Sequence, residues 1–147
     1  MIMSSQPPAG FDLERFVTAQ EAGGTYRSAL AELRRGHKTS HWMWFVFPQI
    51  AGLGRSAMAR TYAIGSLEEA RAYLSHPVLG PRLLDCASVL AGTSGRSAED
   101  ILGGTDAVKL RSSMTLFARA APDQWVFGQV LERYFDGRPD PATEALL

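Results

Sequence analysis

The sequence predicts an all-α fold: a single compact domain of about eight or nine short helices. Two observations carry this. Apolar residues recur at helical spacing in one short segment after another, and several of these segments open on Ser, Thr or Asp and close on Gly or Pro. No two segments alternate apolar and polar residues as partnered strands would. The chain has 147 residues, enough for one core to bury about 68–70 % of the surface of the unfolded chain. Apolar residues make up 46 % and charged residues 20 %, which excludes the disordered class of low hydrophobicity and high net charge.

Met1 to Gly10, with Ser4, Ser5, Pro7, Pro8 and Gly10, reads as a flexible lead-in, and residues 11–147 as the domain. The first helix is expected from Phe11 or Asp12 to Gln20, with Phe11, Phe16 and Val17 inward, and Gly23-Gly24 ends that segment. Thr25 reads as the N-cap of a helix to Arg35 carrying Tyr26, Ala29, Leu30 and Leu33 on one face, with Gly36 as its left-handed C-terminal residue. Ser40 reads as the cap of a short helix stopped by Pro48, because the residue before a proline is pushed out of the α region. A buried strand is the competing reading for Trp42 to Phe47. Helix is preferred, since a lone strand leaves its backbone groups unpaired.

Gln49 to Gly54 is a loop, and Ala57 to Ala63 has room for one or two helical turns. Ser66-Leu67-Glu68-Glu69 is a capping box opening a helix closed by His76-Pro77, and Leu79 to Ala91 is the next. Ser97-Ala98-Glu99-Asp100 repeats the pattern before a turn ended by Gly103-Gly104. Thr105 or Asp106 then caps a helix to about Ala121, whose inner face is Leu110, Met114, Phe117 and Ala121. Asp123 starts a helix through Trp125, Phe127, Val130, Leu131 and Tyr134, ended by Asp136-Gly137. Asp140-Pro141 is the N-cap and N1 pair of a last short helix.

The densest aromatic stretch is His41 to Ile50, which holds two of the three Trp and two of the seven Phe. Large aromatics dominate core energetics, and a buried indole needs a partner for its N–H. Helical spacing puts Trp42 and Phe45 on a different side from Trp44 and Phe47, so some of them belong to the core.

Fifteen basic and fifteen acidic residues cancel, so there is no global field of the kind that marks a nucleic-acid or membrane-surface binder. Between Arg27 and Arg60, however, six Lys or Arg face the single carboxylate Glu32. That segment is either a local anion site or a solvated face balanced by acids elsewhere in the fold. The lone Cys86 forms no internal disulfide, lies in an apolar helical pattern and fits a cytoplasmic protein. No signal peptide and no apolar run near the roughly 20 residues of a membrane span are evident. No cofactor motif is present, and no Cys/His set has metal-ligand spacing.

Four stretches together resemble a known family: Phe11-Asp12-Leu13-x-Arg15-Phe16-Val17-x-Ala19-Gln20, His41 to Gln49, His76-Pro77-Val78-Leu79-Gly80-x-Arg82-Leu83, and Lys109-Leu110-x-Ser112-Ser113-Met114-Thr115-Leu116-Phe117. They look like the uncharacterised bacterial family catalogued as domain of unknown function 1810, from about Phe11 to Leu147. The resemblance implies an all-helical domain and brings no established activity. Members are sometimes labelled calpastatin-like, after a disordered protease inhibitor; a chain with a core and repeated helix caps does not fit that label.

Two stretches carry candidate chemistry. His41, Trp42, Trp44 and Gln49 couple an imidazole, two indole donors and an amide to a Gly-bearing loop, which suits stacking a planar group and offering backbone N–H groups. Lys109, Ser112 and Ser113 follow Gly103-Gly104-Thr105-Asp106 in the early turns of a helix, the general arrangement for holding an anion. The spacing is not that of a Walker A loop, and paired serines also permit close helix packing. For catalysis, His41 or His76 could be a general base with Asp106 or Asp85 as its partner; each is also an ordinary structural residue, and His76 before a proline suits a cap. Tyr73-Leu74-x-His76-Pro77-x-Leu79-x-x-x-Leu83-Leu84 is distantly similar to helical N-glycosidases acting on ADP-ribose-linked compounds. The leading expectation is a small anionic, nucleotide-like ligand held by His41, Trp42, Trp44, Gln49, Lys109, Ser112 and Ser113. The alternatives are a protein-interaction module using the aromatic segment and the N-glycosidase.

Overall fold

A computed structural model describes residues 10–147, and its fold is all-α. The reading of a flexible lead-in falls on residues 1–9, outside the described residues. In chain order the helices are α1 (Glu14–Glu21), α2 (Thr25–Arg35), α3 (Met43–Val46), α4 (Ala57–Thr61), α5 (Leu67–Ser75), α6 (Leu79–Gly92), α7 (Ala98–Leu102), α8 (Gly104–Ala120), α9 (Val126–Phe135) and α10 (Pro141–Ala145), with a 3-10 turn, Ala22–Gly24, between α1 and α2. The only extended pairing among the described residues is an isolated parallel bridge between Ile50 and Ile64.

The 17-residue α8 is the centre, packed against α5, α7, α9 and α10. Its inner face is Leu110, Met114 and Phe117, all fully buried. A series of ring contacts crosses the core from α1 to α9. Phe16 meets Tyr73 edge-on at 5.0 Å between centroids, Tyr73 meets Phe117 at 5.5 Å, and Phe117 meets Phe127 at 5.8 Å. Such offset and edge-on pairs contribute about 0.5–1.5 kcal/mol each beyond area burial.

The local helix signals divide by their chemistry. Ser97 and Asp100 make a full reciprocal capping box. Asp140 caps α10 through Thr143 N at 3.1 Å, with Pro141 in its first turn. Ser66 accepts from Glu69 N at 3.1 Å, but the Glu69 carboxylate reaches back to Gly65 N and to Arg15 instead of to Ser66. Gly36 ends α2 in the left-handed region at φ 76°, with His37 N donating to Glu32 O at 3.0 Å. Trp42 to Phe47 contains the helix α3, not a strand.

Four boundaries differ from expectation. Thr25 is no N-cap: the cap is Gly24, and the Thr25 hydroxyl donates to Ala22 O. Ser40 does not cap α3: the N-cap position is Trp42, and the Ser40 hydroxyl is turned to Glu32, to which it donates. Thr105 and Asp106 lie inside α8, which starts at Gly104 behind an uncapped Gly103 with φ 87°. Asp123 lies in a turn before α9, and Trp125, expected within that helix, is its N-cap residue and is 74 % exposed.

One glycine fixes how closely two elements approach. A Cβ on Gly80, at the start of α6, would sit 2.0 Å from Leu74 O of α5. Helix propensity alone makes Gly→Ala stabilising by about 1 kcal/mol. Gly80→Ala is expected to do the opposite, lowering stability by about 1–3 kcal/mol through the forced separation of α5 and α6, read as a drop in Tm by calorimetry.

Candidate ligand site

One face of α8 turns away from the core. Thr105, Val108, Lys109 and Ser112 fall at i, i+3, i+4 and i+7 and form the floor of a cleft of about 460 Å³. Gln49, Leu53 and Gly54 form one wall and Asp140 and Ala142, at the start of α10, the other. The Gln49 wall is held by backbone. Ile64 N donates to Gln49 O and Ala51 N to Ile64 O, both at 2.8 Å. Gly54 packs so closely on α4 that a Cβ there would lie 2.3 Å from that of Ala59.

At Lys109 the cleft borders a cluster of three charges. Asp106 stands between two lysines, with Lys38 Nζ at 2.9 Å and Lys109 Nζ at 3.3 Å. All three side chains are at least four-fifths buried. Two ammonium groups against one carboxylate leave one positive charge, and a Lys ammonium carries three donors, so Lys109 can serve Asp106 and an incoming anion together. Lys38 is fixed further by its N–H to Ile101 O at 2.7 Å and by the Trp42 ring, whose centroid is 5.1 Å from its Nζ.

Ser112 is a strut. Its Oγ lies 2.9 Å from Thr143 Oγ1, which donates to the Asp140 carboxylate at 2.6 Å. Because the Thr143 proton goes to Asp140, the Ser112 hydroxyl must donate to Thr143, and it has no proton left for a ligand. This chain of hydroxyls pins α10 to α8 and shapes the cleft wall.

The cleft therefore gathers Gln49, Lys109 and Ser112 from the residues singled out in the sequence. It does not gather the others. Trp42 is fully buried and its Nε1 donates to Glu32 Oε1 at 2.9 Å, so it has neither a free face nor a free donor. Trp44 is half-buried against the core, Ser113 is fully buried off the cleft, and His41 is exposed without lining it. Among the described residues no hydrogen bond joins His41 to Asp106, so the two make no general-base pair. His76 caps α6, its Nδ1 accepting from Val78 N at 3.1 Å and Leu79 N at 3.3 Å. Among the described residues no three His, Cys, Asp or Glu side chains are grouped as a metal site requires.

Thr105 and Val108 were legible in principle, since they share the helical face that Lys109 and Ser112 define. Glu32, the lone carboxylate of the basic segment, holds the aromatic segment in place. Its carboxylate accepts from Thr39 N (2.8 Å), Ser40 N (3.1 Å), Ser40 Oγ (2.5 Å) and Trp42 Nε1 (2.9 Å). Burial pushes its pKa upward, but the hydrogen bonds from Ser40, Thr39 and Trp42 outweigh burial and bring it down to about 2.

The fold and cleft define a small all-α protein with a groove of mixed polar and apolar lining along one long helix. Over residues 10–147 the sequence matches the family described as "Protein of unknown function (DUF1810)", and the chain belongs to that family. The crystal structure of the conserved hypothetical protein Rv1873 from Mycobacterium tuberculosis is similar to it, with 54 % sequence identity and a TM-score of 0.90, covering 93 % of this chain and 96 % of that one. No curated protein matches this chain.

The Glu32 carboxylate sets an acid limit on stability. Its pKa is near 2 in the fold against 4.5 ordinarily, so its contribution is fully present above pH of about 4.5 and is lost as pH falls toward 2. The expected loss is on the order of 3 kcal/mol across that window. Urea unfolding near pH 6 and pH 3 checks it: Glu32→Gln is expected to be less stable at pH 6 and to show a shallower decline below pH 4.5.

Proposed function

We propose that this protein binds a small anionic, nucleotide-like ligand in the cleft along α8. The observation that carries this reading is the mixed lining of the cleft, a cation with polar groups beside apolar side chains. Lys109, with its net-positive cluster, and Thr105 in the first turn of α8 suit a phosphoryl group, and the helix dipole there also favours negative charge. Leu53, Val108 and Ala142 give an apolar surface on which a base or sugar face packs, and the Gln49 amide offers a donor and an acceptor beside it.

A second reading, a protein docking surface, is favoured by two exposed apolar side chains, Val108 in the cleft and Leu146 against the loop that bears Gln49. Val108 is 66 % exposed and Leu146, which overlies Gly52, is 47 % exposed. No turnover is proposed. In the stretch similar to N-glycosidases, Tyr73, Leu79 and Leu83 are core residues and His76 is a cap.

A thermal-shift screen against nucleotides, ADP-ribose and sugar phosphates tests the reading. A ligand at 100 times its Kd adds about 2.7 kcal/mol of stability, a rise in Tm of about 5–10 °C for a chain of this size. Lys109→Ala is expected to remove most of that shift and His41→Ala to leave it intact. A shift indifferent to Lys109→Ala, or no shift from any compound, would overturn the small-ligand reading; in the second case a partner protein protecting Val108 and Leu146 from solvent exchange would favour docking.

A further inference from the structure

A second cavity, of about 280 Å³, lies at the junction of α1, α2 and α6, and it is lined by Gln20, Glu21, Gly24, Tyr26, Arg27 and Arg82. From its polar lining we infer a second ligand site, independent of the cleft along α8, that takes the phosphoryl group of a small molecule on Arg27 and Arg82.

The Arg82 guanidinium is held on three sides. Its Cζ lies 4.5 Å from the Tyr26 ring centroid, Nη1 donates to Gln20 Oε1 at 3.2 Å, and Nη2 meets the Glu21 carboxylate. Gln20 is itself fixed from within the core. It is only 1 % exposed, and its amide nitrogen donates to Phe45 O at 2.8 Å and lies 3.2 Å from the Tyr73 hydroxyl. Those two bonds dictate which way the amide faces, so its oxygen must point at Arg82. A buried amide whose nitrogen is satisfied by the core and whose oxygen orients a guanidinium at a cavity is a preorganised support: Arg82 loses little freedom on meeting an anion.

Arg27 lines the same cavity, is exposed, and among the described residues has no ion pair. Among the described residues Glu21 is the only carboxylate lining the cavity, and its side chain is 59 % exposed. Two guanidinium groups against one carboxylate leave one positive charge. When the Glu21 side chain swings into solvent, two fork-shaped donors face the cavity, a set matched to the three oxygens and two charges of a phosphate monoester. Glu21 thus acts as an internal competitor, standing where the ligand's oxygens bind. The positive end of the α2 dipole, starting behind Gly24, adds to the field.

The test is an NMR titration of the full chain with inorganic phosphate, following the amides of Gly24 to Arg27 and the Arg82 Nε–H, with acetate and chloride at matched ionic strength. Saturable shifts confined to this cavity are expected with phosphate. Glu21→Gln is expected to tighten binding about tenfold by removing the competing charge-assisted pair, and Arg27→Ala to weaken it by a similar factor. Both side chains are exposed, so neither change threatens the fold. Lys109→Ala is expected to change nothing here, which separates this site from the cleft along α8. Shifts that fail to saturate, an affinity unmoved by Glu21→Gln and Arg27→Ala, or acetate binding as tightly as phosphate would overturn the proposal.

Discussion

The buried Glu32 carboxylate is the constraint on which the rest of the structure depends. A charge out of water is unfavourable by several kcal/mol unless its oxygens are satisfied. Here four donors, from Thr39, Ser40 and Trp42, satisfy them. The chain after α2 must turn back on itself to deliver those donors, and Gly36 in the left-handed region makes that turn. Once Trp42 Nε1 is on Glu32, the indole is buried, α3 follows at once, and the loop bearing Gln49 leaves the aromatic segment in a fixed direction. A local electrostatic demand in α2 therefore positions one wall of the cleft.

Much of the fold is legible from the sequence because the signals are local. Ser97, Ser66 and Asp140 each accept from the helix amide three residues on, of Asp100, Glu69 and Thr143, and the structure keeps all three helix starts. The starts that went astray involve residues with a better partner elsewhere. Ser40 has a cap's chemistry, but its hydroxyl is oriented by the charge-assisted bond it donates to the buried Glu32 carboxylate, and Trp42 takes the N-cap position of α3. α8 has no side-chain cap at all, and Gly103 at φ 87° lets the chain enter directly from α7.

The candidate site was legible in part for a related reason. Lys109 and Gln49 do what their chemistry suggests, since long polar side chains on a helix face and a glycine-flanked loop reach solvent-filled space. Trp42 and Ser113 have the same donor chemistry and sit in the core. An aromatic run does not reveal from composition which ring is buried; that depends on the Glu32 carboxylate beneath Trp42, itself counted in the sequence as a lone acid on a basic face. The polar cavity at Arg82 is not legible in the sequence, because its parts, Gln20, Tyr26 and Arg82, come from three helices and share no motif.

The aromatic segment and the cleft are joined by one continuous series of contacts. Glu32 holds Trp42, the Trp42 ring lies beneath Lys38, Lys38 pairs with Asp106, and Asp106 pairs with Lys109. Each member is buried or nearly so, and interactions at low effective dielectric are stronger and more mutually dependent than at the surface. The sign of the charge at the cleft follows from this. Asp106 is shared by two ammonium groups, so it neutralises neither alone, and the surplus positive charge falls to Lys109, whose ammonium is the one that lines the cleft. Lys38, tethered by its backbone to Ile101 and by its ammonium to Trp42, does not line it. A core that had to bury one carboxylate under a tryptophan thereby ends with a single, well-anchored cation at the edge of a groove.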